Sequence, residues 1–370
     1  MKMNSNIKKI AVLGAGQIGR TIAIDLSRNG HKVSCYDINL NCLNLLSEYD
    51  TINKNQVNLL SLNYDTTFES YDLIVSAVPG FMGYRVLESI ILAKKDCVDI
   101  SFFSENYEAL AQLAIENEVR VVVDCGIAPG MSNLILGRES ENLNIKNYKV
   151  SVGGLPQEKI YPFEYKAPYS PLDVIEFYSR PVRLRENGVD VIKKPLSNIE
   201  ELFIPGVGEL EAFDTDGLRT LLTSFPDIDN MSEKTIRYPG HADKIQLLKD
   251  MGFFKEENIE NTIKVLVEEW RINPTDKDIT IMVANIEGLD EFGDDVKISY
   301  SLIDKHDGKF HSMSRTTAYT CVAVSELLLN EQINEIGINL PEDIGKSKES
   351  FDFILNYLKQ RNVNFIKKVI

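Results

Sequence analysis

The chain has 370 residues, 44% hydrophobic and 26% charged, the balance of a globular protein of about two domains rather than a disordered or fibrous one. Forty Lys and Arg against fifty-five Asp and Glu leave a formal net charge of −15, with no compact basic face to offset it, so nucleic acid is not expected as a partner. No apolar run approaches the ~18 residues of a membrane-spanning helix, and no membrane partner is expected either.

The basic start at Lys2, Lys8 and Lys9 is followed by an apolar run that breaks at Gly14, too short for a secretory leader. Strands are expected at 9–13, 32–36, 73–77, 97–100 and 119–123, each apolar or β-branched as strands buried on both faces should be. Amphipathic stretches at 18–29, 84–93 and 107–116 lie between them. This alternation predicts an α/β fold, an N-terminal doubly wound parallel sheet of Rossmann type. After about Met131 the rhythm changes, with strands expected at 149–154, 279–287 and 297–303 in a mixed sheet. Asp307-Gly308 is expected to turn a hairpin, and helices are expected at 316–329 and 350–360. The expected organisation is a dinucleotide-binding domain (1–130), an inserted α+β mixed-sheet substrate domain (131–314), and C-terminal helices (315–370) returning to the first domain. The cysteines at 35, 42, 97, 125 and 321 are odd in number and scattered, which points to a reducing, cytoplasmic setting.

The first strand runs into Gly14-Ala15-Gly16-Gln17-Ile18-Gly19 and a helix, the required context of a dinucleotide loop. Gly14 permits the turn, Gly16 admits a pyrophosphate beside Gln17 and Ile18, and Gly19 lets the helix pack close. Asp37 ends the second strand 18 residues after Gly19. A carboxylate there pairs with ribose hydroxyls and repels a 2′-phosphate, so the expected cofactor is NAD rather than NADP.

Ligands of such sheets bind beyond the carboxyl ends of the strands. Val78-Pro79, Asp99 and Asp124 fall there. Asp99 reads as a loop or cap residue. Asp124 precedes a Gly-Pro-Gly-rich turn that would hold it rigidly. Cys125 has no base beside it in sequence and reads as a small buried residue. His306 and His311 would point to opposite faces of one strand, so no metal is expected. Lys234, Arg237, His241 and Lys244 concentrate cations around a Pro-Gly turn that opens a helix. Arg237 offers the planar fork that grips a carboxylate, and His241 is expected to stay neutral as donor or base.

The run Val123-Asp124-Cys125-Gly126-Ile127-Ala128-Pro129-Gly130-Met131 resembles the saccharopine dehydrogenase and lysine 6-dehydrogenase family. So do Val152-Gly153-Gly154-Leu155-Pro156, Leu210-Glu211-Ala212-Phe213-Asp214-Thr215-Asp216-Gly217, Lys234-Thr235-Ile236-Arg237-Tyr238-Pro239-Gly240-His241 and Thr317-Ala318-Tyr319-Thr320. The resemblance implies an enzyme, an amino-acid dehydrogenase commonly dimeric through its second domain, that forms or oxidises a C–N bond with a nicotinamide cofactor. It places Tyr165 and Thr235 with Arg237 on the substrate. Ile127-Ala128-Pro129-Gly130-Met131 stands where other branches have a Leu-Asp-Pro-Gly form, which favours the lysine 6-dehydrogenase branch. The segment from Tyr165 to Pro171 is similar to the family's substrate loop but differs in detail, leaving the substrate open. Asp124, with His241 or a water, is the expected base, and oxidative deamination is expected ahead of reductive joining of an amine to a 2-oxo acid, with a catalytically idle dinucleotide-sensing protein as the remaining alternative.

Overall fold

Six parallel strands form early in the chain: β1 (Lys9–Leu13), β2 (Lys32–Asp37), β3 (Ile52–Gln56), β4 (Leu73–Ser76), β5 (Cys97–Asp99) and β6 (Arg120–Val122). Then follow β7 (Asn144–Pro156), β8 (Val182–Glu186), β9 (Val189–Lys193), β10 (Glu200–Ile204), β11 (Gly208–Asp214), β12 (Asn230–Arg237), β13 (Asp278–Leu289) and β14 (Asp295–Lys305). Near the end come β15 (Gly337–Asn339) and β16 (Ile366–Val369). These are seen in a computed structural model that describes residues 7–167, 170–273 and 275–370. The chain divides into two units, one holding residues up to Arg138 with Ser314–Asn362, the other Glu139–Met313 with Val363–Ile370.

The first unit is a seven-stranded sheet in the order β15-β6-β5-β4-β1-β2-β3, parallel throughout. Ile10, Ala11, Val12 and Leu13 of β1 are fully buried, which is why the central strands read so plainly as apolar runs. The chain builds outward from β1 to β3, then restarts at β4 on the other side. That reversal creates a switch point between β1 and β4, where ligands of such sheets bind. The two strands that the apolar pattern does not reveal are the sheet's edges. β3 is Ile-Asn-Lys-Asn-Gln with only Ile52 buried, and β15 is three residues long. Edge strands bury one side only and carry little apolar signal.

The C-terminal helix Lys348–Gln360 belongs to this unit and is tied to the helix Gln17–Arg28. Arg361 Nε donates to both oxygens of the buried Asp25 at 2.9 and 2.8 Å, and the Tyr357 hydroxyl donates to Asp25 at 2.7 Å.

The second unit is a nine-stranded sheet in the order β10-β11-β12-β7-β13-β14-β16, with β8 pairing with β12 and β9 with β8. All of its pairs are antiparallel except β12 with β7. Trp270, Tyr165, Tyr178, Phe213 and Ile236 centre its core.

Two expectations are corrected. Asp307-Gly308 turns no hairpin, because β14 ends at Lys305 and the chain enters the helix Ser312–Leu329. The hairpin lies instead between β13 and β14, where Asp290 Oδ1 accepts from the amides of Phe292 and Asp294. The tail 315–370 is not wholly part of the first unit, since Val363–Ile370 falls in the second and β16 pairs with β14. Among the described residues no helix is long and apolar enough to cross a membrane.

Candidate active site

In the first unit the chain leaves β1 through Gly14, at φ +99, and enters the helix Gln17–Arg28. A Cβ on Gly14 would lie 2.5 Å from the Ala77 carbonyl oxygen, and one on Gly19 would lie 2.0 Å from the Gly14 oxygen. Both positions therefore require glycine. Gly16 is different: it is exposed, a Cβ there meets nothing within 4 Å, and the helix start carries no side-chain cap. That open space beside uncapped amides is the cradle a pyrophosphate would fill. The buried Gln17 Oε1 has no hydrogen-bond partner, leaving an acceptor for a ligand donor at the loop, next to the half-buried Ile18.

Asp37 binds the loop to the end of β2. Its Oδ2 accepts from the Ala15 amide at 2.5 Å and its Oδ1 from the Asn39 amide at 2.7 Å. Val78, whose amide nitrogen lies 3.6 Å from where a Gly14 Cβ would be, and Pro79, which starts the helix Gly80–Leu92, complete the wall beyond β4. These residues fit a bound dinucleotide.

At the end of β5, the enclosed Asp99 accepts from the Ser101 hydroxyl at 2.8 and 2.7 Å and from the Ser101 amide at 3.1 Å. It does cap a turn, as the sequence suggests, but burial also pushes its carboxyl up to about 7, with the Asp124 charge adding to the rise. Asp124, two residues past β6, is buried at φ +54, a left-handed backbone that costs a non-glycine residue energy. The turn behind it supplies the rigidity. Gly126 N donates to Pro129 O at 3.0 Å and Met131 N to Gly126 O at 2.9 Å, while a Cβ on Gly130 would lie 2.1 Å from the Gly126 oxygen. Cys125 is buried, and burial raises its thiol far from a reactive thiolate.

In the second unit, Arg237 closes β12 and is only 2% exposed. Its guanidinium lies over the Tyr165 ring at 4.3 Å from the centroid, with Nε reaching the Tyr178 hydroxyl at 3.3 Å and Nη2 the Tyr165 hydroxyl at 3.4 Å. His241 opens the helix His241–Asp250 and is fully enclosed. Its Nδ1 donates to the Phe163 carbonyl at 3.0 Å, which leaves Nε2 to accept from the Tyr178 hydroxyl at 2.9 Å. Burial, then the Arg237 charge, pushes the ring down to about 3, so it is neutral. With both nitrogens engaged, His241 orients Tyr178 and has no open nitrogen for a substrate proton. The helix start itself is capped by Glu211, which accepts from the amides of Gly240 and Ala242 at 2.7 Å each.

The cations of this segment do not converge. Lys234 lies on the face of β12 opposite Arg237 and pairs with Asp214 at 3.2 Å, while Lys244 pairs with Glu164. His306 and His311 do not point apart, because a turn and a helix start separate them, and their rings meet edge to face at 5.2 Å. Among the described residues no group of three His, Cys, Asp or Glu could hold a metal. Of the loop from Tyr165 to Pro171, Pro168 and Tyr169 lie outside the described residues, as do Met1 to Asn6.

Sequence reasoning missed Glu233. It shares a face of β12 with Thr235 and Arg237, and burial pushes its carboxyl up to about 8. The signal was the alternation 233, 235, 237, legible only once the segment is read as a strand rather than as the approach to a helix.

Residues 10–127 match the family model described as saccharopine dehydrogenase NADP binding domain, and residues 126–363 the one described as saccharopine dehydrogenase C-terminal domain. The chain is 26% identical over 266 residues to the NADP(+), L-glutamate-forming saccharopine dehydrogenase of Pyricularia oryzae, covering 68% of this chain and 59% of that protein. The Saccharomyces cerevisiae protein of the same name is 22% identical over 270 residues, with coverage of 68% and 59%. Alpha-aminoadipic semialdehyde synthase of Arabidopsis thaliana is 25% identical over 209 residues, half of this chain but 19% of that one. The chain thus spans about three-fifths of the length of the fungal relatives. The apo structure of the L-Glu-forming saccharopine dehydrogenase from Saccharomyces cerevisiae superposes with a TM-score of 0.80 at 17% identity, over 98% of this chain and 100% of that one, a likeness of fold.

Proposed function

Because this chain belongs to the saccharopine dehydrogenase family, we propose that it oxidises a C–N bond of an amino acid with NAD, deaminating a terminal amine in the manner of a lysine 6-dehydrogenase. The observation that carries deamination over reductive condensation is the commitment of three arginines. A second dicarboxylate would need cations, and the arginines that the sequence offers for it beyond Arg237 and its lysine neighbours are Arg180, Arg183 and Arg185 of the run 179–185. Arg183 grips Asp216 in a fork at 2.9 and 2.8 Å, and Arg180 pairs with Glu176 at 2.7 Å. Arg185 is bound to Asp190 and to the Phe225 and Leu222 carbonyls at 2.6–2.7 Å.

In this reading Arg237 holds the substrate carboxylate, its fork kept in place by Tyr165 and Tyr178. Asp124 takes the proton that the substrate ammonium must lose before its neighbouring carbon can give up a hydride. Bound NAD supplies the hydride acceptor. Loss of the hydride from the neutral amine leaves an iminium ion, which water hydrolyses to the aldehyde and ammonium. In this reading His241 acts through Tyr178, since Phe163 and Tyr178 engage both of its nitrogens.

NAD is supported by Asp37, whose fixed carboxylate at the end of β2 favours ribose hydroxyls over a 2′-phosphate. NADP in the names of the family model and the relatives describes those proteins. The test is an assay of L-lysine with either cofactor and no oxo acid. Equal ammonia and NADH, with NAD preferred by tenfold or more, is the expected result. Turnover only when lysine, a reduced cofactor and a 2-oxo acid are combined would replace deamination by condensation.

A further inference from the structure

Glu233, Thr235 and Arg237 occupy alternate positions of β12, whose pairing with β7 and β11 runs without a register shift, so their side chains share one face. Arg237 is 2% exposed and Glu233 and Thr235 are each 6% exposed, which makes this a nearly enclosed strip. The Glu233 carboxyl is built into place. Thr215 bonds its Oε2 through the side-chain hydroxyl, Thr235 bonds Thr215 at 2.9 Å, and a Cβ on Gly217 would lie 2.6 Å from Glu233 Cδ. Among the described residues, no Lys or Arg stands within ion-pairing distance of that carboxyl. Burial outweighs the favourable Thr215 hydrogen bond and the Arg237 charge and holds this acid neutral, ready to ionise when a further cation arrives.

We propose that Glu233, together with the Thr235 oxygen, recognises the α-ammonium group of the substrate beside the carboxylate grip of Arg237. The inference rests on the amino-acid reading above. An α-amino acid carries its ammonium and carboxylate on one carbon. Thr235, about 7 Å along the strand from Arg237 with the longer Glu233 side chain behind it, offers acceptors on the same face as the guanidinium to read that end of the molecule. The distal amine is left to react. With Glu233 ionised, Thr215 donates to it and accepts from Thr235, whose oxygen keeps acceptor capacity for an ammonium hydrogen. In the free protein, burial keeps the Glu233 carboxyl protonated at neutral pH, since it titrates at about 8. Arrival of a cation favours the carboxylate, so binding should expel a proton.

Calorimetric titration of the full chain saturated with NADH, which cannot accept a hydride and so prevents turnover, tests this, using L-lysine and 6-aminohexanoic acid, the same carbon chain without the α-ammonium. The expected result is binding of lysine about 10–150-fold tighter than its analogue. At pH 7, runs in two buffers of different ionisation enthalpy should show the release of about one proton per lysine. Glu233→Gln should abolish most of the lysine advantage while the analogue binds as before. The proton count needs no variant, so a misfolded Glu233→Gln would not remove the test. Equal binding of the two ligands, or no proton release, overturns the role of Glu233 while leaving the amino-acid reading intact. Binding of neither ligand overturns that reading itself.

Discussion

In the proposed reaction Arg237 and Asp124 do different work, and kinetics would separate them. If Arg237 holds the substrate carboxylate as proposed, Arg237→Met is expected to raise KM for the amino acid by about 10–150-fold with a smaller change in kcat. Asp124→Asn keeps the shape and removes the base, so kcat should fall by about 10²–10⁴ while NAD affinity holds. Steady-state kinetics with a separate NAD titration checks both, and near-normal turnover in Asp124→Asn would move the base elsewhere. At this scale the sequence was legible where one residue type has one reason. Gly14, Gly19 and Asp37 stand where the loop geometry demands them. It was illegible where meaning depends on contacts. His241 reads as an available imidazole, yet Phe163 and Tyr178 occupy both of its nitrogens.

Among elements, the helix Lys348–Gln360 is tied to the helix Gln17–Arg28 through the buried carboxylate of Asp25. Asp25 receives Arg361 and Tyr357, and the Arg361 guanidinium also stacks 3.5 Å from the Tyr357 ring centroid. Removing one partner of a buried pair leaves the other uncompensated, so Arg361→Met should destabilise the protein by about 3–5 kcal/mol. Thermal melting would register the loss, and hydrogen exchange should show it concentrated in the helices Lys348–Gln360 and Gln17–Arg28. An unchanged melting temperature would show the tie to be dispensable. Elements were readable in proportion to their burial. β1 and β4 announce themselves as apolar runs, whereas β3 and β15, at the sheet edges, do not. Asp307-Gly308 carried a true turn signal but could not say that a helix, not a strand, follows.

For the molecule as a whole, buried titrating groups shape stability against pH. Burial raises Glu233 from 4.5 to about 8 and Asp99 from 3.8 to about 7. For a raised acid, stability is fully present below the unfolded value and is lost as pH rises through the folded one. His241, lowered from 6.5 to about 3, acts oppositely, its contribution being lost as pH falls through that range. Glu233→Gln should therefore melt with the wild type near pH 4 and above it from pH 8 upward. A constant difference across that range would mean that Glu233 does not titrate between the two states. At this scale the order of a nucleotide-binding unit followed by a mixed-sheet unit was legible from the change in strand rhythm. The return of the last residues to the second unit was not, because β16 is a short strand at a sheet edge.

The most direct test of the account follows the hydride. L-lysine bearing deuterium at C6 is incubated with NAD alone, and the reduced cofactor is analysed by mass spectrometry beside an ammonia assay. Oxidation of the distal C–N bond predicts one deuterium in each reduced cofactor and one ammonia released with it. Unlabelled reduced cofactor would place the oxidation at the α-carbon, and no reduction without an added oxo acid would contradict deamination outright.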